Sequence, residues 1–139
     1  MTEIEAGRPI RVLFLNEGEL GSEVMGHAAA DRALRRRLAE HELLDARFVH
    51  LPPLRGLPGL ASRSVPLLGA ADLDLQATRW HVVQSLRARR VVARELAAFP
   101  ADALHVESHA VSFALVEEMR RRPTFLSFDV SVTDWRLMG

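Results

Sequence analysis

Apolar residues follow two patterns that alternate along the chain. Short continuous apolar runs, typical of strands buried on both faces, occupy residues 10–15, 46–51, 103–106 and 124–128. Between these runs, apolar residues recur at intervals of three and four, as they do on one side of a helix. This spacing predicts helices over about 22–41, 79–99 and 110–122. Strands alternating with helices predict a parallel sheet joined by right-handed crossovers.

The predicted fold class is therefore α/β, a Rossmann-like parallel sheet with helices on both faces and the strand order 3-2-1-4. At 139 residues the chain is expected to form a single domain, 1–139. The sequence ends soon after the fourth apolar run, with no further helical pattern. We therefore expect this domain to be an incomplete half of a larger fold.

The spacing of apolar residues also predicts which side of each helix faces the sheet. In the helix over 79–99 the sheet-facing residues are Val82, Leu86, Val92, Leu96 and Phe99, and Arg89 falls within the same stripe. Trp80 and the many arginines of this helix resemble a membrane-surface helix, although a sheet-packing helix with a solvated cationic side is the favoured interpretation. In the first helix the sheet-facing residues are Ala30, Leu34 and Leu38, and Arg32, Arg35 and Arg36 face water. In the last helix the sheet-facing residues are Val111, Ala114, Leu115 and Met119.

Residues 52–78 interrupt the alternation with four of the seven prolines of the chain. A connection longer than about 15 residues is generally functional or disordered, and the many leucines here argue against disorder. Three interpretations stay open: the leucines cover an edge of the domain, pack on a second domain, or dip into a membrane surface.

Composition narrows the location and the partners. The chain has 18 basic and 18 acidic residues, so its field does not favour nucleic acid as a partner. It has no cysteine, no secretory signal pattern and no apolar run near the roughly 20 residues that span a bilayer. These features predict a cytoplasmic protein without a disulfide or zinc-thiolate site.

Polar residues follow the predicted strands where ligands meet parallel sheets. Glu107, Ser108 and His109 follow the third strand, and Asp129, Ser131 and Thr133 follow the fourth. Carboxylate and imidazole groups within hydrogen-bond reach can orient a hydroxyl or act as a base. Structural roles stay open for the same residues: Glu107 pairing with an arginine, Ser108 capping a helix, Asp129 bracing its turn. His105 and His50 fit structural positions in the sheet.

A glycine-rich turn follows the first strand, and there backbone amides lie open to a ligand. Its spacing is neither GxGxxG nor GxxxxGK[ST], and it lacks basic residues, so a dinucleotide or P-loop site is disfavoured. The turn either binds hydroxyl groups or only packs. The residues with ligand-binding potential here are Gly21, Ser22 and His27.

Two segments together resemble the N-terminal domain of GT-B glycosyltransferases of the family 4-like group. The first, DALHVESHAVSFAL, is similar to an Asp-x-x-His-x-His strand end followed by an apolar helix; the second, RRRPTFLSFDVSVTDWRLMG, is similar to a proline-led strand ending in Ser-x-Asp-x-Thr. The opening, RVLFLNEGELGSEVMGH, is similar to the start of the same domain. The matching positions are Asp102, His105, Glu107, Pro123, Ser127, Asp129 and Ser131.

The resemblance implies an acceptor-binding half of a retaining, metal-independent glycosyltransferase. A nucleotide sugar would be the co-substrate, held by a C-terminal donor domain that this chain does not contain. Glu107 stands where the family has its second histidine, and the turn after Asp129 lacks the usual proline. The catalytic candidates are Glu107, His109 and Asp129, and the acceptor-binding candidates are Gly21, Ser22, His27, Ser108 and Ser131.

The expected partners are a sugar or a glycan- or lipid-linked acceptor and the donor domain. A peripheral contact with the inner face of the membrane and self-association through an exposed sheet edge are further expectations. The alternative function is a non-catalytic interaction module that binds a partner through residues 52–78 and the open sheet edge. A flavodoxin-like or receiver domain is a lesser alternative, disfavoured because no acidic cluster follows the first strand and residues 52–78 have no counterpart there.

Overall fold

A computed structural model describes residues 8–17, 35–38, 40–51, 54–61, 63, 75–108 and 111–127. The strands are β1 (Ile10–Glu17), β2 (Leu44–Leu51), β3 (Ala103–Glu107) and β4 (Thr124–Ser127). The helices are α1 (Gly56–Ala61), α2 (Gln76–Ala98) and α3 (Val116–Arg121), and a 3₁₀ turn (Phe113–Leu115) precedes α3. Residues 35–38 are also helical.

The four strands form one sheet in which every neighbouring pair is parallel. This confirms the predicted α/β class and all four strands. The order along the sheet is β2-β1-β3-β4, whereas the sequence-based order 3-2-1-4 placed the third strand beside the second. That detail of the prediction was wrong, because β3 lies between β1 and β4.

The long helix α2 explains why sequence alone does not determine the order. The chain runs from edge strand β2 through α1 to α2, which packs on the sheet. After α2 the chain enters β3, on the far side of β1. In one order the connection spans one strand spacing and in the other it spans two. The two distances differ by only about 5 Å, since neighbouring strands lie about 5 Å apart. A helix of 23 residues reaches either position, so the same alternation of elements is compatible with both orders.

Each face of the sheet has its own apolar core. On one face, Leu13 and Leu104 are 0% and 1% exposed and pack under α2 and the 3₁₀ turn. The opposite face buries Val12, Phe14 and Ala103, and Leu38 packs against them. Strand β1 is therefore covered on both sides, as its continuous apolar sequence predicts, whereas β3 is fully covered only on the α2 face, because His105 and Glu107 on the other face are half-buried.

Helix α2 presents a different side to the sheet from the one predicted. Its buried residues are Gln84, Ser85, Ala88 and Val92, whereas Val82 and Leu86 are 49% and 48% exposed. Ser85 is tolerated in the core because its hydroxyl accepts a hydrogen bond from the backbone amide of residue 114. The prediction is confirmed in the second half of the helix, where the sheet-facing side includes Val92, Leu96 and Phe99, and it was wrong for the first half.

The segment after β3 forms a 3₁₀ turn and a short helix where one helix was predicted. Its inward residues are nevertheless those expected, since Val111 and Leu115 are fully buried and Met119 packs against them. Arg35 was expected in water, but its guanidinium lies 4.2 Å from the ring centroid of Phe48. Across the helices that the structure describes, none is both long enough and apolar enough to traverse a bilayer.

Candidate functional site

The connections of the sheet change direction between β1 and β3. From β1 the chain steps outward to β2, and from β2 it returns past β1 to β3 and β4. In parallel sheets the crevice at such a reversal, beyond the carboxyl ends of the strands, is where ligands bind. The structure therefore indicates a candidate site at the ends of β1 and β3.

A row of polar side chains crosses this end of the sheet on one face. Register pairs Asn16 in β1 with His50 in β2, and Glu107 in β3 with Ser127 in β4. The last pair between β1 and β3 is Leu15 with Val106, and Asn16 and Glu107 are the next residues. Side chains alternate between faces along a strand, so these four residues share one face. We call His50, Asn16, Glu107 and Ser127 the polar row.

An aromatic row lies two residues earlier on the same face. Phe14 stacks on Phe48 with 4.6 Å between ring centroids, and the ring of His105 lies 4.9 Å from Phe14. Phe125 is the register partner of His105 and completes the row on β4. The aromatic row separates the polar row from the apolar layer around Val12 and Ala103.

In both rows, exposure increases from β1 through β3 to β4. Asn16 is buried at 7% exposure, Glu107 is half-buried and Ser127 is exposed. In the aromatic row, Phe14 is 7% exposed while Phe125 is 64% exposed. The face is therefore open to solvent on the side of β3 and β4.

His105 connects the two rows. Its Nε2 lies 2.8 Å from the hydroxyl oxygen of Ser127, a hydrogen bond between adjacent strands. Burial lowers the pKa of His105 below its ordinary value of 6.5, because the charged imidazolium would lose its contact with water. Within the described residues, Nδ1 is buried without a hydrogen-bond partner. The ring is therefore neutral near pH 7 and serves to hold the Ser127 hydroxyl.

The chain turns sharply as it leaves β3. Ser108 has a φ of 87°, which is uncommon for a residue other than glycine. Its backbone amide donates a hydrogen bond of 2.7 Å to the carbonyl oxygen of Ser127. This bond fixes the end of β3 against β4. It holds Glu107 beside Ser127, its register partner on β4.

At the opposite end of the sheet, Asp102 has a structural role. Its carboxylate accepts hydrogen bonds of 2.6 and 2.7 Å from the guanidinium of Arg8 and one of 2.9 Å from the backbone amide of Arg11. The Arg8 hydrogen bonds lower the pKa of Asp102, and the amide of Arg11 adds to this effect. Asp102 belongs to the motif resemblance, but it precedes β3 and lies away from the polar row.

Two of the eight sequence-predicted site residues lie in the described part of the chain. Glu107 and Ser108 are both at the carboxyl end of β3, as expected. The other six lie outside the described residues: His109, Asp129, Gly21, Ser22, His27 and Ser131. Their proximity to Glu107 stays a prediction.

Sequence reasoning missed the rest of the polar row. The sequence predicted a structural place for His50 and only a motif position for Ser127, and Asn16 was not singled out. The available signal was alternation, since each residue lies two positions beyond an aromatic residue of its own strand. Only register shows that these positions coincide across the sheet.

The polar row carries the chemistry of hydroxyl recognition. A carboxylate accepts hydrogen bonds from hydroxyl groups, and an amide and a serine hydroxyl both donate and accept. Within the described ranges, no group of three or more His, Cys, Asp or Glu residues is placed to hold a metal ion. Arg35 contacts His50, which places a cationic group at the β2 end of the row.

Comparisons of the chain with protein-family models, with curated proteins and with solved structures find no match.

Proposed function

We propose that this chain is the acceptor-binding half of a retaining, nucleotide-sugar-dependent glycosyltransferase. A separate donor domain supplies the nucleotide sugar, and the polar row holds the acceptor. The observation that carries the proposal is the row itself, with Glu107 and Asn16 flanking the reversal of strand order. The motif resemblance of the strand ends adds the reaction class.

The arrangement suits a neutral polyol better than an anion. Glu107 would repel a phosphate or carboxylate, whereas it accepts hydrogen bonds from sugar hydroxyl groups. Phe125 lies two residues before Ser127 on β4 and is 64% exposed. Its ring offers an apolar surface for the C–H face of a sugar. In the assembled enzyme, Glu107 orients the acceptor hydroxyl, and His109 and Asp129 complete the catalytic group.

The proposal includes a location. The acceptor is a sugar, or a glycan linked to a lipid, and the protein works in the cytoplasm at the inner face of the membrane. The exposed leucines and arginines of α1 and α2 support this placement.

A titration of the chain with candidate acceptor sugars, followed by backbone amide resonances, tests the assignment. We expect shifts at Asn16, Glu107, Ser108 and Ser127. Glu107→Gln removes a charged acceptor and should weaken binding about tenfold or more. The matched control is Glu117→Gln, an exposed residue of α3 paired with Arg121 at 2.9 Å, which should bind like the parent chain.

Two outcomes contradict the assignment. One is equal binding by Glu107→Gln and Glu117→Gln. The other is a nucleotide sugar, rather than an acceptor sugar, shifting the resonances of the polar row, because the donor is expected to bind the other domain.

A non-catalytic interaction module is the second candidate, and the edge strand β4 favours it. Phe125 and Leu126 are 64% and 37% exposed on opposite faces of this strand. Exposed apolar residues on an edge strand are a template for pairing with another chain, including a second copy. Substituting Glu107, His109 and Asp129 together abolishes turnover of an enzyme supplied with its donor domain, whereas an interaction module keeps its partner.

A further inference from the structure

The first half of α2 has its polar and apolar sides reversed relative to a helix that only packs on a sheet. Gln84 and Ser85 are 6% and 1% exposed, while Val82 and Leu86 are close to half exposed. Successive helical residues are rotated by about 100°, so Leu86 lies roughly opposite the buried side. Folding of the described residues therefore leaves this apolar side largely in contact with water.

The buried polar residues are satisfied, so the reversal is not a packing fault. The Ser85 hydroxyl accepts the amide of residue 114, and the Gln84 carbonyl oxygen accepts a hydrogen bond of 3.1 Å from Arg87. Satisfied polar groups cost little when buried. The exposed apolar residues are what the fold of the described residues leaves unexplained.

Helix α1 extends the exposed apolar area. Leu57 and Leu60 are 80% and 55% exposed. An open cleft of about 320 Å³ lies between α1 and α2. The guanidinium of Arg79 donates a hydrogen bond of 3.0 Å to the carbonyl oxygen of Arg63, which connects the residues after α1 to the start of α2. The cleft is lined by Leu57, Pro58, Val83, Leu86, Arg87 and Arg90.

We call Leu57, Leu60, Val82, Leu86, Arg87 and Arg90 the α1–α2 surface. Among the described residues 54–61, 63 and 75–94, the charged side chains are seven arginines with no aspartate or glutamate, while Asp72 and Asp74 lie between these ranges in the sequence. Arg90 is exposed, and Arg87 is half-buried beside Leu86. Arginines around apolar side chains complement a surface that is anionic outside and apolar beneath.

We propose that the α1–α2 surface docks on an anionic lipid bilayer. Leu57, Leu60 and Leu86 enter the boundary between headgroups and acyl chains, and the guanidinium groups bind lipid phosphates. A bilayer offers both chemistries in layers, as this surface does. This docking would explain the membrane location given under the proposed function, and it rests on the proposed function only for that location. Docking does not require sugar transfer.

Flotation of the full chain with vesicles tests this proposal. We expect binding to vesicles of phosphatidylcholine mixed with phosphatidylglycerol, and much weaker binding to phosphatidylcholine alone. Arg90→Gln should weaken binding about fivefold, and Leu57→Gln about tenfold. Raising the salt to about 1 M, where charges are screened beyond about 3 Å, should release most of the bound protein.

Matched controls lie elsewhere on the described surface. Arg120→Gln removes an exposed arginine of α3, and Leu43→Gln removes a leucine that is 67% exposed before β2. Both should bind vesicles like the parent chain, and circular dichroism should show that all four variants fold. Sugar binding at the polar row should be unchanged by every variant, so failure of docking is distinguishable from failure of the proposed function.

Three outcomes overturn the proposal. They are no binding to anionic vesicles, equal losses for the α1–α2 variants and their controls, and binding to an acidic polypeptide but not to vesicles. The last would identify the surface as a protein-docking site.

Discussion

At the scale of single residues, Asp102 joins two parts of the chain that are distant in sequence. Its carboxylate binds the Arg8 guanidinium through two oxygens and the Arg11 amide through one of them, while its own amide donates a 2.8 Å bond to the Arg11 carbonyl. The start of β1 is thereby fastened to the start of β3. Paired hydrogen bonds between an arginine and a carboxylate are stronger and more directional than neutral ones.

Asp102→Asn should lower the free energy of unfolding by about 1–3 kcal/mol near neutral pH, because the charged acceptor is lost. The pKa of Asp102 is lowered from 3.8 in the folded state, so the folded carboxyl releases its proton more readily than the unfolded one. Its stabilisation is therefore complete above the unfolded pKa and disappears as pH falls through the folded pKa.

Urea unfolding of the parent chain and of Asp102→Asn across pH measures both effects. The difference between them should shrink below about pH 4, where the parent carboxyl becomes protonated. Asp45→Asn is the control, since its carboxylate is half exposed and lies 3.8 Å from Arg11. A difference that stays constant down to the lowest pH would contradict the role given to Asp102.

At the scale of elements, α2 is held by contacts of different kinds at its two halves. Near its end, Glu95 forms a 2.8 Å ion pair with Arg47 of β2, and Phe99 lies beneath the guanidinium groups of Arg11 and Arg47. Toward its middle, Ser85 accepts a hydrogen bond from the amide of Ala114, within the 3₁₀ turn. Side chains of α2 therefore link the helix to β2 and also to the segment after β3.

Ser85→Ala should destabilise the protein by about 1–3 kcal/mol, because it leaves a backbone amide without its acceptor in the core. Thr78→Ala, at an exposed position of the same helix, is the control and should change stability by less than about 0.5 kcal/mol. Thermal unfolding of the two variants provides the comparison. Equal effects would mean that the Ser85 hydroxyl does not support the 3₁₀ turn.

At the scale of the whole molecule, strand order decides what the sheet can bind. With β3 beside β1, the residues that end these two strands lie at the reversal of connections. In the order 3-2-1-4, the ends of β1 and β3 would be separated by β2, and Asn16 and Glu107 would not be neighbours. The candidate site is thus a property of the topology.

Hydrogen exchange distinguishes the two orders. In the observed sheet β3 is central and β2 is an edge. Amides of β3 should be protected at every residue, whereas those of β2 should alternate, with the outward ones exchanging about 100-fold faster or more. The order 3-2-1-4 predicts the reverse, continuous protection in β2 and alternation in β3. Amide exchange followed by NMR at Phe48, Val49, Leu104 and His105 resolves the pattern.

Parts of the site were predictable from sequence because they depend on one strand. Glu107 and Ser108 follow an apolar run, and parallel strands present their carboxyl ends at a common edge. Asn16 also follows an apolar run, whereas the signal at His50 and Ser127 was only their position two residues beyond an aromatic residue of the same strand. The exposed side of α2 was also missed, because helical periodicity shows that Val82 and Leu86 share a side but does not say what covers it.

The sequence by itself determined the four strands, their common direction and the burial of β1 on both faces. Continuous apolar runs separated by helical segments have few other ways to bury their side chains. Tertiary structure alone decided which strands are neighbours, and with them the polar row and the outward side of α2. These depend on distances between residues far apart in the chain, and local patterns of polarity contain no information on such distances.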